Sequence, residues 1–306
     1  MYGETFRRAR KGKGMTLKEA CGDALSVSQL SRFENGKSVI PVDLFYDVLS
    51  NINTTSEEFY YFMGQKTEVE LSRQFDLIAE YVREQQYDAL KQLKQSLKES
   101  YPNPYSWEQF LIYFISSLLD MNEDKEPEAH HFILDYLMQV ENWGEMELRL
   151  YALFGFVLEV ETLHHLMHTA LKRSMLYQHI PQDQKLLHII LSNTFSTFLF
   201  RDRLDYAEET IELFEEVYSE NVDFVTPHID FMFNRGLLHF KKGEVNQGKE
   251  CCEKAINFCK LFKQKKSEQL FKKRYRSWLD GLSASDYKEL TINVNFFSYT
   301  ESKDKD

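Results

Sequence analysis

Side chains able to carry out chemistry are sparse in this sequence, and the histidines come first. His164 and His168 stand four residues apart, which puts two imidazoles on one helix face where they could hold a metal ion. His165 lies between them, and His130-His131 is a second group of the same standing. Neither has an HExxH glutamate or a cysteine nearby, so packed or solvated histidine is the better reading and no metal is assigned. Cys21, Cys251, Cys252 and Cys259 lack CxxC spacing and sit in helical patterns, as idle thiols of a reducing cytosol do. There is no GxSxG, GxGxxG or Gly-rich phosphate loop, and Glu212, Glu215 and Glu216 form a solvated stripe. The expectation is a protein that is not an enzyme and uses no cofactor.

The remaining candidates suit recognition. Ser28, Gln29, Ser31 and Arg32 are the polar positions of a short helix that packs through Val27, Leu30 and Phe33. Gln pairs with adenine and Arg with guanine in bidentate fashion, so Ser28, Gln29 and Arg32 are expected to read bases. Arg7, Arg8, Arg10, Lys11, Lys18 and Lys37 are expected to hold phosphates. The charge distribution agrees. The chain has 37 basic and 48 acidic residues, net −11, so its surface as a whole does not attract a polyanion. Residues 1 to 37 nevertheless hold eight bases against Glu4, Glu19, Asp23 and Glu34, which is +4 and leaves −15 for the remainder. A basic head on an acidic body implies a local polyanion site.

The elements that position these side chains are helices. Among 306 residues there are only 12 Gly and 6 Pro, with 43% hydrophobic and 14% aromatic residues, a composition poor in turns and breakers. Phe6, Ala9 and Arg10 open a short helix that Gly12 and Gly14 end. Thr16-Leu-Lys-Glu19 and Ser26-Val-Ser-Gln29 are capping boxes, each starting a helix, and Leu25 can staple onto Leu30. Two helices so close together must meet at a steep angle, as in a helix-turn-helix. Gly36 stops the second of them, Pro41 to Leu49 makes a fourth helix, and Thr55-Ser-Glu-Glu58 caps a fifth.

From Glu68 onward amphipathic helices alternate with breaks. Trp107, Phe110, Leu111, Phe114, Ile115 and Leu118 share one helical face. Breaks are expected at Tyr101-Pro-Asn-Pro104, Glu126-Pro127, Trp143-Gly144, Ile180-Pro181, Thr226-Pro227 and Lys242-Gly243. Turn-like segments at Asp88, Asp205 and Glu244 are offset by 117 and 39, three periods and one, which fits helix pairs of a tetratricopeptide-like solenoid. Leu148 to Leu158 and Leu186 to Phe200 are apolar on more than one face, which would leave apolar surface along the concave side. Arg149, Asn193 and Asn234 recur there at intervals of 44 and 41, with Phe154, Phe198 and Phe231 beside them. Asn amides can bond an extended peptide backbone, an Arg can hold a carboxylate, and phenylalanines can form side-chain pockets.

Two resemblances follow from these residues. Ser31-Arg32-Phe33-Glu34-Asn35-Gly36-Lys37, at this distance after Thr16-Leu17-Lys18-Glu19-Ala20, resembles the Cro/CI-type (XRE) helix-turn-helix, with Lys18 where that family often has a phosphate-holding Gln. With Trp143-Gly144-Glu145-Met146-Glu147-Leu148 and divergent repeats, nearly the whole chain resembles the Rgg/MutR regulators of streptococci and their relatives. The resemblance implies a homodimeric cytoplasmic transcription regulator that reads double-stranded promoter DNA, and in several members a response to short hydrophobic peptide pheromones, a form of quorum sensing. It further implies that Arg149 corresponds to a ligand-contacting Arg.

The expected fold is all-α, a five-helix Cro/CI-type domain over 1–66 followed by a right-handed α-solenoid of tetratricopeptide-like helix pairs. The repeats over 67–282 would bind ligand and dimerise, and 283–306 would be a capping helix and tail. Leu270 to Leu282 and Tyr287 to Phe297 are candidates for the dimer contact. No 18-residue uncharged apolar run occurs, so no membrane association is expected. The alternative function is a DNA-bound regulator whose repeats dock a protein partner and sense no peptide.

Overall fold

The computed structural model describes residues 2–63, 84–100, 106–123, 129–177, 181–218 and 225–280, with positions 74, 77, 78, 80–82, 125 and 127 between them. The chain folds as two compact units, residues 1–74 and 75–306. Among the described residues every regular element is helical. The expected capping helix at 283–306 and the Tyr101 to Pro104 break lie outside the described residues.

In the first unit the helices are α1 (Tyr2–Gly12), α2 (Leu17–Cys21), α3 (Val27–Glu34), α4 (Val42–Asn51) and α5 (Ser56–Phe62). All three capping boxes form. The side chains of Thr16, Ser26 and Thr55 accept from the backbone N–H of Glu19, Gln29 and Glu58, whose own side chains return the bond. The Thr16 backbone N–H holds the Glu19 carboxyl below its usual range, so this cap is intact at neutral pH and is lost as pH falls through the lowered value. Phe6, Leu30, Phe33, Val48, Leu49, Ile52 and Phe59 form the core, where Phe45 and Phe59 meet edge-on at 4.9 Å.

The second unit contains α6 (Tyr87–Ser100), α7 (Trp107–Asn122), α8 (Ala129–Gln139), α9 (Glu145–Phe154), α10 (Val160–Arg173), α11 (Pro181–Phe200), α12 (Leu204–Tyr218), α13 (Val225–Lys241), α14 (Val245–Leu261) and α15 (Lys265–Asp280). Most helices pack on the next in sequence, while α7, α9, α11 and α13 also pack on one another in order, which is the pattern of stacked helix pairs. The second helices of the pairs begin at Tyr87, Ala129, Val160, Leu204 and Val245, so the intervals are 42, 31, 44 and 41 residues. Three pairs do separate Asp88 from Asp205, but they are unequal, and the uniform period of 39 is corrected. Pro227 falls inside the first turn of α13 and makes no break, because at that position its missing N–H has no intrahelical partner to lose.

Four of the described turns share one device. Gln85, Asp202, Gly243 and Lys263 have φ of 57°, 56°, 81° and 57°. The N–H of the residue after each reaches back to the last turn of the preceding helix, Gln86 to Tyr81 O, Arg203 to Phe198 O, Glu244 to His239 O and Gln264 to Cys259 O, at 2.7 to 2.9 Å. These are Schellman closures, which satisfy otherwise orphaned carbonyls while reversing the chain. A second local feature brings α13 and α14 together. A Cβ on Gly236 would lie 2.9 Å from Gly248 O, and one on Gly248 2.9 Å from Gly236 O, so only glycine permits this approach.

A Cβ at Gly243 would touch nothing, so Gly243→Ala isolates the backbone cost of the left-handed conformation. It should destabilise the protein by about 1–2 kcal/mol, whereas Lys263→Gly removes the same strain and should raise the urea midpoint. Shifts of the same sign in the two variants would contradict the closure reading.

Candidate functional site

The helix-turn-helix is set by a buried ion pair. Arg10 Nε and Nη2 donate to Glu34 Oε1 and Oε2 at 2.6 and 2.7 Å, and Arg10 Nη1 donates to Met15 O at 2.6 Å. Both residues are buried, at 6% and 5% exposure. The Glu34 hydrogen bond raises the Arg10 pKa above an already high value, so the guanidinium stays charged. Arg10 therefore cannot hold a phosphate from this position, which corrects the sequence expectation. The acidic position of the SRFENGK segment is the partner that draws Arg10 inward. Gly3 completes the contact, since a Cβ there would sit 1.8 Å from Phe33 O.

With α1 locked against the end of α3, Ser28, Gln29 and Arg32 are exposed. Val27 is also exposed, at 44%, so α3 packs through Leu30 and Phe33 without it. Gln29 Oε1 accepts from Ser26 N and Oγ at 3.0 and 2.9 Å, and Ser28 Oγ shares a bond with Ser26 Oγ at 3.0 Å. A bidentate pair between Gln29 and a base would have to open this cap, while its amide N–H groups are not used by it. Arg7, Arg8, Lys11, Lys18 and Lys37 are exposed. Arg7 donates to Asn35 Oδ1, and Arg8 donates to Phe62 O and lies over the Phe62 ring. Arg7, Arg8 and Lys11 line an open depression with Glu4, Thr5, Phe62 and Met63.

In the repeats, Trp143 is fully buried and its indole N–H donates to Leu137 O at 3.2 Å. Glu147 accepts from Gly144 N at 3.0 Å and from the Tyr136 hydroxyl at 2.6 Å. Arg173 Nη1 caps the end of α8 through the carbonyls of Leu137, Met138 and Val140. The Trp-Gly-x-x-Glu-Leu segment is thus a structural junction. Next to it Arg149 is partly exposed and pairs with Glu145 at 2.6 Å, one turn away.

The remaining candidates lie inside. From Leu186 to Leu199 every residue of α11 is buried except Ile189, so this helix offers no open apolar strip and the expected exposed concave face is corrected there. Phe154, Phe198 and Phe231 are 1%, 0% and 4% exposed. Phe154 packs edge-on against Phe114, Phe198 against Tyr206, and Phe231 stacks on Phe214 at 3.4 Å. They fill helix contacts instead of lining pockets. Asn234 donates to Ser192 Oγ and accepts from Arg274 Nη2, both at 3.3 Å, linking α11, α13 and α15. Asn193 Nδ2, by contrast, is buried with no hydrogen-bond partner among the described residues. Ser192 and Arg274 escaped the sequence reading. The signal for Arg274 is an arginine within the run Lys272-Lys273-Arg274, since arginine is the cation better suited to burial.

Burial pushes the Cys252 and Cys259 thiols up to about 12 and about 11, which keeps them protonated and unreactive at neutral pH. His164, His168 and Glu209 converge and could together hold a metal ion.

The family model for the C-terminal domain of the HTH-type transcriptional regulator Rgg matches residues 91–273. The crystal structure of the Streptococcus dysgalactiae SHP pheromone receptor Rgg2 is similar, with TM-score 0.71 and 23% identity over 90% of this chain and 99% of that one. A Listeria monocytogenes EGD-e structure described as a transcriptional regulator has TM-score 0.76 and 20% identity over 91% and 97%. ComR from S. thermophilus, in complex with DNA and its signalling peptide, has TM-score 0.53 and 14% identity over 91% and 99%. At these identities the structures establish a common fold.

Glu34→Ala should cost about 3–5 kcal/mol by stranding the buried Arg10 charge, while Arg32→Ala on the exposed face should stay within about 0.5 kcal/mol. Chemical denaturation of the two variants checks this, and similar losses in both would remove the ion pair from its structural role.

Proposed function

We propose, from the premise that the chain belongs to the Rgg family of helix-turn-helix transcriptional regulators, that α3 reads promoter DNA and that a short hydrophobic peptide taken into the repeats alters this reading. For DNA, the support is the exposed set Ser28, Gln29 and Arg32 with Arg7, Arg8, Lys11, Lys18 and Lys37 in the same net-positive segment, residues 1 to 37. For the peptide, the observation that carries the reading is Asn193. A buried amide donor without a partner costs about 1–3 kcal/mol, and a peptide carbonyl would remove that cost. The likeness to a pheromone receptor and to a regulator bound to DNA and signalling peptide agrees with this assignment.

The closed interior adds a condition. Phe154, Phe198, Phe231 and Asn234 are already packed, so they can meet a peptide only in a second conformation that opens the contacts of α9 with α7, of α12 with α11 and α13, and of α13 with α11 and α15. The peptide must bind that state more tightly, and its apparent affinity is reduced by the fraction of molecules already in it. Arg149 would exchange Glu145 for a peptide carboxylate. A two-fold homodimer suits a module that reads one half-site, with Leu270 to Leu282 as the candidate contact, of which 281 and 282 lie outside the described residues. Tyr287 to Phe297 lies outside the described residues.

In a reporter strain, Arg149→Ala and Asn193→Ala should lose the response to added short hydrophobic peptides while operator binding is retained. An unchanged response in both removes these residues from the site, and no response in wild type favours a repeat unit that docks a protein. Arg32→Ala should cost about 1–3 kcal/mol at the operator alone, whereas Lys11→Ala should weaken all DNA alike and flatten the salt dependence. Sedimentation of the full chain at micromolar concentration should give a dimer; a monomer contradicts that assignment.

A further inference from the structure

Next to Phe198, whose ring centre lies 6.1 Å from that of His164, α10 and α12 bring three metal-type donors together. His164 Nε2 lies 2.6 Å from Glu209 Oε2, and His168 Nε2 lies 3.0 Å from Glu209 Oε1. One atom from each of the three residues falls within 4.8 Å of the others. The imidazoles are one turn apart on α10, with ring centroids 4.9 Å apart and planes at 81°. Tyr206 stacks on His164 at 3.8 Å and 9°, which limits how far that ring can turn. Arg203 covers Tyr206 at 3.6 Å, but its charge is met by Asp205 at 2.9 Å and Glu161 at 2.7 Å. The donor side chains are 23%, 43% and 37% exposed, so an ion can enter and water can complete its shell.

We propose that His164, His168 and Glu209 form a site for a divalent transition-metal ion, zinc in the first instance, that clips α10 to α12. Two imidazoles and one carboxylate are a borderline donor set of the kind zinc accepts, with a water in the fourth position. Zinc about 2.0–2.2 Å from each donor places neighbouring donors roughly 3.3 Å apart. The observed pairs, His164 with Glu209 Oε2 at 2.6 Å and His168 with Glu209 Oε1 at 3.0 Å, therefore need to open by about 0.7 and 0.3 Å, a small rotation of the partly exposed Glu209 side chain. Binding uses the Nε2 lone pairs, so each ring carries its proton on Nδ1 in the loaded state. The clip joins the second helices of two successive repeats, 45 residues apart at His164 and Glu209.

The test uses the full chain stripped with chelator and dialysed against zinc, read by elemental analysis and thermal unfolding. Wild type should take up about one zinc per chain and gain thermal stability, and cobalt(II) in its place should show the visible absorption of a tetrahedral site. His168→Ala and Glu209→Gln should each weaken zinc binding by on the order of 10-fold or more and abolish the stabilisation, while His165→Ala should retain both. No uptake by wild type at roughly 100 µM zinc, or unchanged stoichiometry and affinity in a His168→Ala/Glu209→Gln chain, overturns the proposal and leaves a hydrogen-bonded His–Glu–His cluster.

Discussion

A chain made of helices can reverse direction tightly only if the last carbonyls of each helix find donors inside the turn, and the observed organisation rests on that requirement. The same left-handed closure serves both units. In the first it uses Gly14, Gly36 and Asn53; in the second Gln85, Asp202, Gly243 and Lys263. Each closure delivers the next helix within two residues of the left-handed position in the repeats, as at Leu204, Val245 and Lys265. Short closed turns leave the following helix little choice but to lie against the preceding one. Stacked pairs follow from this geometry even where the sequences of the pairs have diverged.

Polar groups inside the cores then decide which helices are held to which. Arg10 and Glu34 tie α1 to the end of α3, and Gly3 lets the backbones approach. In the repeats the corresponding tie runs Ser192, Asn234, Arg274 across α11, α13 and α15, with Phe233 under the guanidinium. A buried cation or amide is costly unless its partners are in place, so such ties specify one arrangement of helices more sharply than apolar contacts do. Tyr151 acts similarly between Thr194 and the Leu163 carbonyl.

The starts of α2, α3 and α5 were legible because a capping box is written in four consecutive residues, and Thr16, Ser26 and Thr55 all behave as the pattern states. The exposed character of Arg32, Gln29 and Ser28 was legible for the same local reason. What could not be read was which neighbour closes over an apolar or charged face. The sequence put Arg10 among the phosphate holders, since nothing local shows Glu34 waiting inside, and it put Val27 inside although no described helix covers it. Phe154, Phe198 and Phe231 carried no mark to distinguish a pocket wall from a packed core, because both demand the same side chain. Equal repeat lengths were assumed from three turn-like segments, while the interval of 31 between Ala129 and Val160 depends on the short helix α9, whose length no local signal in Trp143 to Leu148 sets. Family resemblance was carried by Glu34 and Trp143, both of which prove to be structural.

The glycine contact between Gly236 and Gly248 bears on where the molecule can deform. At this crossing the backbones of α13 and α14 meet with no side chain between them, so sliding one helix past the other there runs into backbone atoms. Relative motion of helices is then expected at neighbouring seams cushioned by larger side chains, such as the ring stack of Phe214 on Phe231 between α12 and α13.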